Sequence, residues 1–326
     1  MKVLLTTRFS TTDREFINSN LDTRWTVLSG TESDMSQLIE QAKDADAMLG
    51  FGVSKELLNH AKQLKLFQYP SAGVDRLDLS DFSRRKILLC NSHSNSQVVA
   101  EHCLALLLNL TRKITAHHEL ARKGLRYRFD GSSNDKNYDS ISLAGMKIGL
   151  LGFGHIGSTV SSLLRAFKVE LSTYVRPSRI SQKNVPSYVR VYASIRELFS
   201  DVDVVINSLP LTRDTEGLIG DELFGLMKKD ALFINVGRAS VVDEGSLYRS
   251  LSMGIIKGAA IDVWYSDSQL LSDNYAFESL DNLIISPYRA GSCSNTSTHL
   301  VDAVMNLNRF ISGSELSNIV DYKDGY

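Results

Sequence analysis

Two series of short apolar runs, each alternating with helix-like amphipathic stretches, constrain the fold of this chain more than any other feature. The first series contains "KVLLT", "AMLGF", "LKLFQYP" and "ILLCN", and the second contains "KIGLLGF", "VELSTYV", "VDVVINSLP", "ALFINVG", "GAAIDVW" and "NLIISPY". Strands that alternate with helices indicate parallel βαβ units. Nearly continuous apolar strands are typical of a sheet covered on both faces. We therefore predict an α/β fold with two doubly wound parallel-sheet domains.

Length and charge exclude several classes of protein. The chain has 326 residues, which is enough for two domains. Its 36 basic and 37 acidic side chains give a net charge of −1, which argues against a nucleic-acid partner or an anionic membrane surface. Since the sequence lacks a run of about 18 apolar residues, we expect no transmembrane helix. The apolar part of "MKVLLTTRFS" is too short for a signal peptide and is typical of a first strand.

Cysteine spacing bears on location and metal binding. Cys90, Cys103 and Cys293 are odd in number and widely separated, and they form neither a CxxC pair nor a zinc pattern. We expect reduced thiols in a cytoplasmic protein, and no metal site.

The segment "KIGLLGFGHIGSTV" joins a predicted strand to a predicted helix through a glycine-rich turn. Gly152, Gly154 and Gly157 have the G-x-G-x-x-G spacing of dinucleotide-binding turns. The first glycine permits the tight bend, the second lets the backbone approach a pyrophosphate, and the third lets the helix pack closely on the strand. We predict a dinucleotide site here, and the alternative is an ordinary strand–turn–helix junction. The residues of this site between the glycines are Phe153, His155 and Ile156.

The next predicted strand, "VELSTYVRPSR", indicates which dinucleotide is bound. NAD-binding turns place an acidic residue near the end of this strand, where it accepts a hydrogen bond from the ribose 2′-hydroxyl. Val175 stands at that position, and Arg176 and Arg179 follow it. Guanidinium groups bind phosphate well, so we expect NADP in preference to NAD. The alternative is that both arginines are solvated loop charges.

The order of several further motifs resembles that of the D-isomer-specific 2-hydroxyacid dehydrogenases over nearly the whole chain. These motifs are "LKLFQYPSAGVDRLDL", "NSHSNSQVVAEHCLALLLNLTRKI", "INSLPLTRDTEGLI", "DALFINVGRASVVDEGSL", "GAAIDVW" and "IISPYRAGS". The resemblance implies a Rossmann dinucleotide-binding domain, residues 96–291, inserted into a flavodoxin-like substrate-binding domain, residues 1–95 and 292–326. It also implies an active site in the cleft and a homodimer that forms through the dinucleotide domain.

The resemblance implies roles for individual residues. Arg238, in "NVGRAS", matches the catalytic arginine, whose planar fork can hold a substrate carboxylate and polarise its carbonyl. Asp262 matches a residue that orients the nicotinamide amide. The loop that offers backbone N–H groups to the substrate carboxylate corresponds to Ser71, Ala72, Gly73 and Val74. The other implied cofactor-binding residues are Val99, Leu209, Pro210, Thr215, Val236, Gly237, Arg238 and Tyr288.

The sequence departs from the family pattern at the expected proton donor. The family has His in a "TPH"-like motif, paired with Glu five residues after the "DV" aspartate, but here Tyr288 and Asp267 stand at those positions and Ser268 replaces the following proline. A phenol titrates near pH 10 and carries its proton at pH about 7, so Tyr288 can act as a general acid without a carboxylate partner. Arg289 could stabilise its phenolate.

Three interpretations of the proton donor stay open. In the first, Tyr288 donates the proton. In the second, a water or another side chain donates it, with His93 the nearest candidate by motif position. In the third, the protein is a catalytically weak dinucleotide-binding sensor or scaffold. For His102, His117 and His118, packing or solvent exposure is expected.

The combined prediction is an NAD(P)H-dependent 2-oxoacid reductase, or 2-hydroxyacid dehydrogenase, of D stereochemistry. The stereochemistry comes from the resemblance alone. Glyoxylate, hydroxypyruvate and pyruvate are suggested as substrates only by analogy.

Overall fold

The computed structural model describes residues 1–29, 35–124, 139–176, 184–266, 269–294 and 297–326. The strands are β1 (Lys2–Leu5), β2 (Thr26–Ser29), β3 (Ala47–Leu49), β4 (Leu66–Gln68), β5 (Leu88–Cys90), β6 (Lys147–Leu151), β7 (Glu170–Tyr174), β8 (Val189–Tyr192), β9 (Val204–Asn207), β10 (Leu232–Asn235), β11 (Gly258–Ile261) and β12 (Leu283–Ile285). The helices are α1 (Thr11–Asn20), α2 (Met35–Ala42), α3 (Lys55–His60), α4 (Leu79–Arg85), α5 (Ser96–Arg112), α6 (Ile114–Arg122), α7 (His155–Leu164), α8 (Ile195–Asp201), α9 (Asp221–Leu226), α10 (Glu244–Ser252) and α11 (Thr298–Ser312). Within the described ranges, no helix combines the length and apolarity that a membrane crossing needs.

The chain divides into two compact units. The first unit contains Met1–Asn95 and Cys293–Tyr326, and the second contains Ser96–Ser292. Whether the first unit binds substrate and the second binds dinucleotide stays a prediction at this point.

Each unit contains one parallel sheet. The first sheet has the order β2-β1-β3-β4-β5, and every neighbouring pair is parallel, which is the flavodoxin-like order. The second sheet has the order β12-β11-β10-β9-β6-β7-β8, again with parallel pairs. Its order reverses between β6 and β9, as in doubly wound dinucleotide-binding domains. The predicted fold class is confirmed.

Side-chain alternation along the strands gives the second sheet two buried faces. On β9, Val204 and Ile206 join a hydrophobic cluster with residues of α5 and α7. The intervening Val205 joins a cluster on the other face, with residues of α8, α9 and α10. Successive strand residues point to opposite faces, so an uninterrupted apolar strand can serve both clusters.

A buried amide network ties α11 to the sheet of the first unit. The Nδ2 group of Asn306 donates to Gln68 Oε1 at 3.0 Å and to the Ser317 carbonyl at 2.8 Å. Asn306 Oδ1 accepts from the Ser317 amide at 3.0 Å, and the Gln68 amide donates onward to the carbonyls of Cys90 and Asn91. Asn306 and Gln68 are fully buried. The network therefore fixes the C-terminal helix to the carboxyl ends of β4 and β5.

Replacing Asn306 with Ala should destabilise the first unit. The variant leaves the buried hydrogen-bond partners of the amide unsatisfied, so the free energy of unfolding should fall by about 2–4 kcal/mol. The protein has two tryptophans, and Trp25 packs on α11 through a hydrogen bond to the Leu307 carbonyl. A Trp264→Phe background leaves Trp25 as the fluorescent reporter, so urea unfolding followed by Trp25 fluorescence measures the stability of the first unit. The control is Met305→Ala, at an exposed position of α11. Equal midpoints for the two variants would contradict the role of the network.

Candidate active site of the second unit

The predicted dinucleotide and catalytic residues of the second unit follow neighbouring strands of one sheet. Since all seven strands are parallel, their carboxyl ends meet at one edge, where α/β proteins bind ligands. Around this edge, Gly152 follows β6, Leu209 follows β9, Arg238 follows β10, Asp262 follows β11 and Tyr288 follows β12.

The glycine turn has the geometry that its spacing predicts. Gly152 has a φ of +89°, which residues with side chains rarely adopt. A Cβ atom at Gly157 would lie 2.1 Å from the Gly152 carbonyl oxygen, so only glycine fits there. Gly154 is the N-cap of α7 and no side chain caps the helix at this end. A Cβ atom at Gly154 would meet no protein atom within 4 Å, so the space in front of this helix end is open.

Two asparagines that the sequence analysis did not identify brace the loops after β9 and β10. Asn207 Nδ2 donates to Asn235 Oδ1 at 2.9 Å, and both side chains are buried. Asn207 Oδ1 accepts from the Leu209 amide, and Asn235 Oδ1 accepts from the Gly237 amide at 3.0 Å. A Cβ atom at Gly237 would lie 2.8 Å from the Leu209 carbonyl oxygen. The sequence did contain one sign of this pair, because the apolar strands β9 and β10 both end in Asn.

Arg238 begins a turn directly after this brace. Arg238 is half-buried. Its backbone carbonyl accepts from Asn235 Nδ2 at 3.3 Å, and its Nη1 donates to the Gly237 carbonyl at 3.1 Å. The short 3₁₀ turn Ala239–Val241 follows it. One guanidinium nitrogen thus bonds to the neighbouring carbonyl.

Asp262 organises the segment that carries Tyr288. Its Oδ1 accepts from the Arg289 amide at 2.8 Å and from the Ser286 hydroxyl, and its Oδ2 accepts from the Ala290 amide at 2.9 Å. The Asp262 carbonyl accepts from the Tyr288 amide at 3.0 Å. The buried carboxylate therefore holds the segment from both sides of Tyr288. This contact is additional to the predicted role of Asp262 toward a nicotinamide amide.

Tyr288 has an unusual backbone and a bound hydroxyl. Its φ is +55°, an outlier for a bulky residue that costs about 1–3 kcal/mol. The residue is 42% exposed, and its hydroxyl donates to the Trp264 carbonyl. A second phenol close by, Tyr265, has a raised pKa, chiefly through burial and secondarily through the charges of Glu244 and Asp243. Tyr265 is therefore held neutral.

His102 and Ser286 form a contact that the sequence analysis missed. His102 Nε2 lies 2.9 Å from Ser286 Oγ and 3.5 Å from Asp262 Oδ1. Ser286 has one hydrogen, which it gives to Asp262. The hydrogen between His102 and Ser286 must then belong to Nε2. Helical spacing could have indicated this contact from the sequence. His102 lies three residues after the buried Val99 on α5, and residues three apart lie on the same face of a helix.

The predicted 2′-phosphate residues are only partly described. Arg176 follows β7, and its Nη1 donates to Asp214 Oδ2 at 2.8 Å. Arg179 and Asp267 lie outside the described residues, as does Ser268. Among the other predicted cofactor residues of the second unit, the buried ones include Val99, Phe153, Thr215 and Val236. Pro210 is half-buried, and its carbonyl accepts from the Thr215 hydroxyl at 2.7 Å.

The predicted substrate loop belongs to the first unit and follows β4. The Ser71 carbonyl accepts from the Ser92 amide at 3.1 Å, and the Ala72 carbonyl accepts from Asn91 Nδ2 at 2.7 Å. In a trans peptide the C=O and N–H groups point in opposite directions. The N–H groups of Ala72 and Gly73 therefore point away from β5. Val74 is buried, and the His93 amide donates to Asp302 at 2.7 Å.

The strand order, the glycine turn and the open helix end define the second unit as a dinucleotide-binding domain of the doubly wound type. Residues 104–290 match the family described as "D-isomer specific 2-hydroxyacid dehydrogenase, NAD binding domain". The chain belongs to this family of NAD(P)-dependent oxidoreductases acting on CH–OH groups. The predicted family is confirmed.

Relatives match over most of the chain. A glyoxylate/hydroxypyruvate reductase of Arabidopsis thaliana is 31% identical over 93% of this chain and 91% of its own length. A glyoxylate reductase of Aeropyrum pernix is 29% identical over 87% of this chain and 85% of its own length. The solved D-isomer specific 2-hydroxyacid dehydrogenase of Xanthobacter autotrophicus, in complex with NADPH and MES, has a TM-score of 0.82 at 21% identity, covering 100% of this chain and 99% of its own.

Replacing Asp262 with Asn should loosen the segment around Tyr288. An amide has one acceptor oxygen and two donor hydrogens, so it cannot accept all three bonds that the carboxylate receives. We expect hydrogen exchange of the Arg289 and Ala290 amides to accelerate by about tenfold or more, equivalent to about 1.4 kcal/mol. Exchange mass spectrometry of peptides covering 286–292 measures this, with the exposed Asp281→Asn as control. Unchanged exchange would show that the carboxylate does not hold the segment.

Proposed function

We propose that this protein reduces a small 2-oxoacid to the D-2-hydroxyacid, using NADPH in preference to NADH. The observation that carries the proposal is the convergence of the glycine turn, Arg238, Asp262 and Tyr288 on strand ends along one edge of one sheet. The relatives named as glyoxylate and glyoxylate/hydroxypyruvate reductases support a 2-oxoacid as substrate. A cytoplasmic homodimer belongs to the same proposal, and its state can be measured by sedimentation.

The residues of the glycine turn fit a dinucleotide. Gly152 and Gly157 close the turn tightly, while Gly154 leaves open space at a helix N-terminus that lacks a capping side chain. Helix N-termini bind phosphate groups through their N–H groups and their dipole. The nicotinamide, when bound, supplies a hydride to the substrate carbon. The Arg176 guanidinium supports the preference for a 2′-phosphate.

Arg238 binds and polarises the substrate in this proposal. Its guanidinium offers several N–H donors in a fixed plane. One part of the fork binds the substrate carboxylate, and the other stabilises the oxygen that gains charge. The loop 71–74 belongs to the first unit, and its N–H groups are a separate candidate for binding a carboxylate. Asp262 acts here as a positioning residue for the segment around Tyr288.

Tyr288 holds the proton that the new hydroxyl needs. The proton lies on Oη, and the Trp264 carbonyl fixes the direction of the hydroxyl. Rotation about the Cζ–Oη bond redirects the hydrogen without moving the ring. The strained backbone of Tyr288 supports a functional role, because such outliers cluster at active sites.

A second candidate function is a dinucleotide-binding sensor or scaffold with weak catalysis. The observation that favours it is the bond between the Tyr288 hydroxyl and the Trp264 carbonyl, which occupies the only hydrogen of the phenol. In that case the dinucleotide binds tightly and no oxoacid is reduced.

Replacing Tyr288 with Phe distinguishes these functions. With NADPH and a panel of glyoxylate, hydroxypyruvate and pyruvate, loss of the general acid should lower kcat by about 100-fold or more. The dissociation constant for NADPH, measured by nicotinamide fluorescence, should stay within about twofold, because Phe keeps the aromatic ring assigned to the cofactor site and removes only the hydroxyl. Tyr188→Phe, at a tyrosine of similar exposure in the same unit, is the control. A wild-type protein that binds NADPH but reduces none of these acids would instead support the sensor.

Replacing Gly154 with Ala tests the dinucleotide site by itself. The added methyl group meets no protein atom, so the melting temperature should stay unchanged. It would occupy space that the backbone needs to approach a pyrophosphate. Affinity for both NADPH and NADH should fall by about tenfold or more, or about 1.4 kcal/mol. Gly225→Ala, whose methyl group is equally unobstructed, should bind both dinucleotides normally. Normal binding by Gly154→Ala would contradict the assigned pyrophosphate site.

A further inference from the structure

An ion pair joins the loops that follow the two neighbours of the strand carrying the glycine turn. Arg176 follows β7 and Asp214 follows β9, and these two strands flank β6 on opposite sides. The bond between Arg176 Nη1 and Asp214 Oδ2 is 2.8 Å long. The bond therefore joins the loops that follow the two strands on either side of β6, the strand that leads into the Gly152 turn.

Asp214 is carried by a fixed turn rather than by a freely moving loop. The Thr215 hydroxyl accepts from the Thr212 amide at 2.8 Å and donates to the Pro210 carbonyl at 2.7 Å. The Thr215 amide donates to the Thr212 carbonyl at 3.1 Å. Thr215 itself is buried. The turn thus sets the backbone position of Asp214, while its carboxylate is exposed.

The pair places a negative charge on the side chain predicted to read the cofactor phosphate. The strand end lacks the acid that favours a 2′-hydroxyl, because Val175 stands there. Asp214 brings a carboxylate to the same strand end from another loop. A carboxylate and a phosphate both bind a guanidinium through the same N–H donors, so they compete for it.

We propose that Asp214 is a specificity-determining residue, which competes with the cofactor 2′-phosphate for Arg176 and so moderates the preference for NADPH over NADH. The proposal rests on the proposed function, because it assumes that a dinucleotide occupies the glycine turn. NADH carries no 2′-phosphate, and its binding leaves the ion pair intact. NADPH binding exchanges the carboxylate for the phosphate.

Replacing Asp214 with Asn tests the competition through binding alone. The dissociation constants of NADPH and NADH are measured by nicotinamide fluorescence, without substrate. Because the pair is solvent-exposed, NADPH should bind about fivefold more tightly, and NADH should change by less than about twofold. Asp221→Asn, which removes the exposed carboxylate paired with Arg249 in the same unit, should change neither constant. An equal change for both dinucleotides, no change, or weaker NADPH binding would overturn the proposal.

The Arg176→Ala variant separates failure of this proposal from failure of the proposed function. Arg176→Ala should weaken NADPH selectively, and adding Asp214→Asn to it should then change NADPH affinity by less than about twofold. A full Asp214 effect without Arg176 would overturn competition for the guanidinium. If Arg176→Ala weakens both dinucleotides equally, the cofactor preference of the proposed function fails. If Arg176→Ala is selective but Asp214→Asn has no effect, only the role of Asp214 fails.

Discussion

The parallel direction of the seven strands in the second unit is the constraint on which its candidate site depends. Parallel strands need crossover connections, so every loop that follows a strand emerges at the same edge. Residues more than a hundred positions apart in the chain, such as Gly152 and Tyr288, thereby reach one edge of one sheet. The apolar alternation that buries both faces of the sheet is what keeps these strands in place. Packing and site geometry are therefore consequences of the same pattern.

Within this edge, buried polar side chains take over the fine positioning. The Asn207–Asn235 pair fixes the loops after β9 and β10, and the Asp262 carboxylate fixes the segment after β12. Such groups are costly when unpaired in the interior, so each one constrains the loops that satisfy it. The same logic applies in the first unit, where Asn306 attaches the C-terminal helix to β4. The buried amides and carboxylates thus decide where the exposed side chains stand.

The exposed side chains at this edge differ from the buried ones, because a ligand can replace or share their protein contacts. Arg176, Asp214 and Tyr288 are accessible to solvent, and each has a protein partner that a ligand would have to replace or share. Exposed ion pairs contribute little to stability, which leaves them adjustable by ligand binding. A site built in this way keeps its frame rigid while its contacts with small molecules can exchange.

The sequence by itself determined the two parallel α/β units, the glycine turn and the motif positions of Arg238, Asp262 and Tyr288, because strand periodicity, glycine spacing and residue order are local properties. The resemblance further predicts that Tyr288 stands where the family has His. Only the tertiary structure decided that Asp262 holds the segment around Tyr288, that His102 reaches Ser286, and that Asp214 pairs with Arg176. These are contacts between residues 27, 184 and 38 positions apart. Sequence spacing cannot specify such pairs, because they depend on which strands become neighbours and where each loop turns.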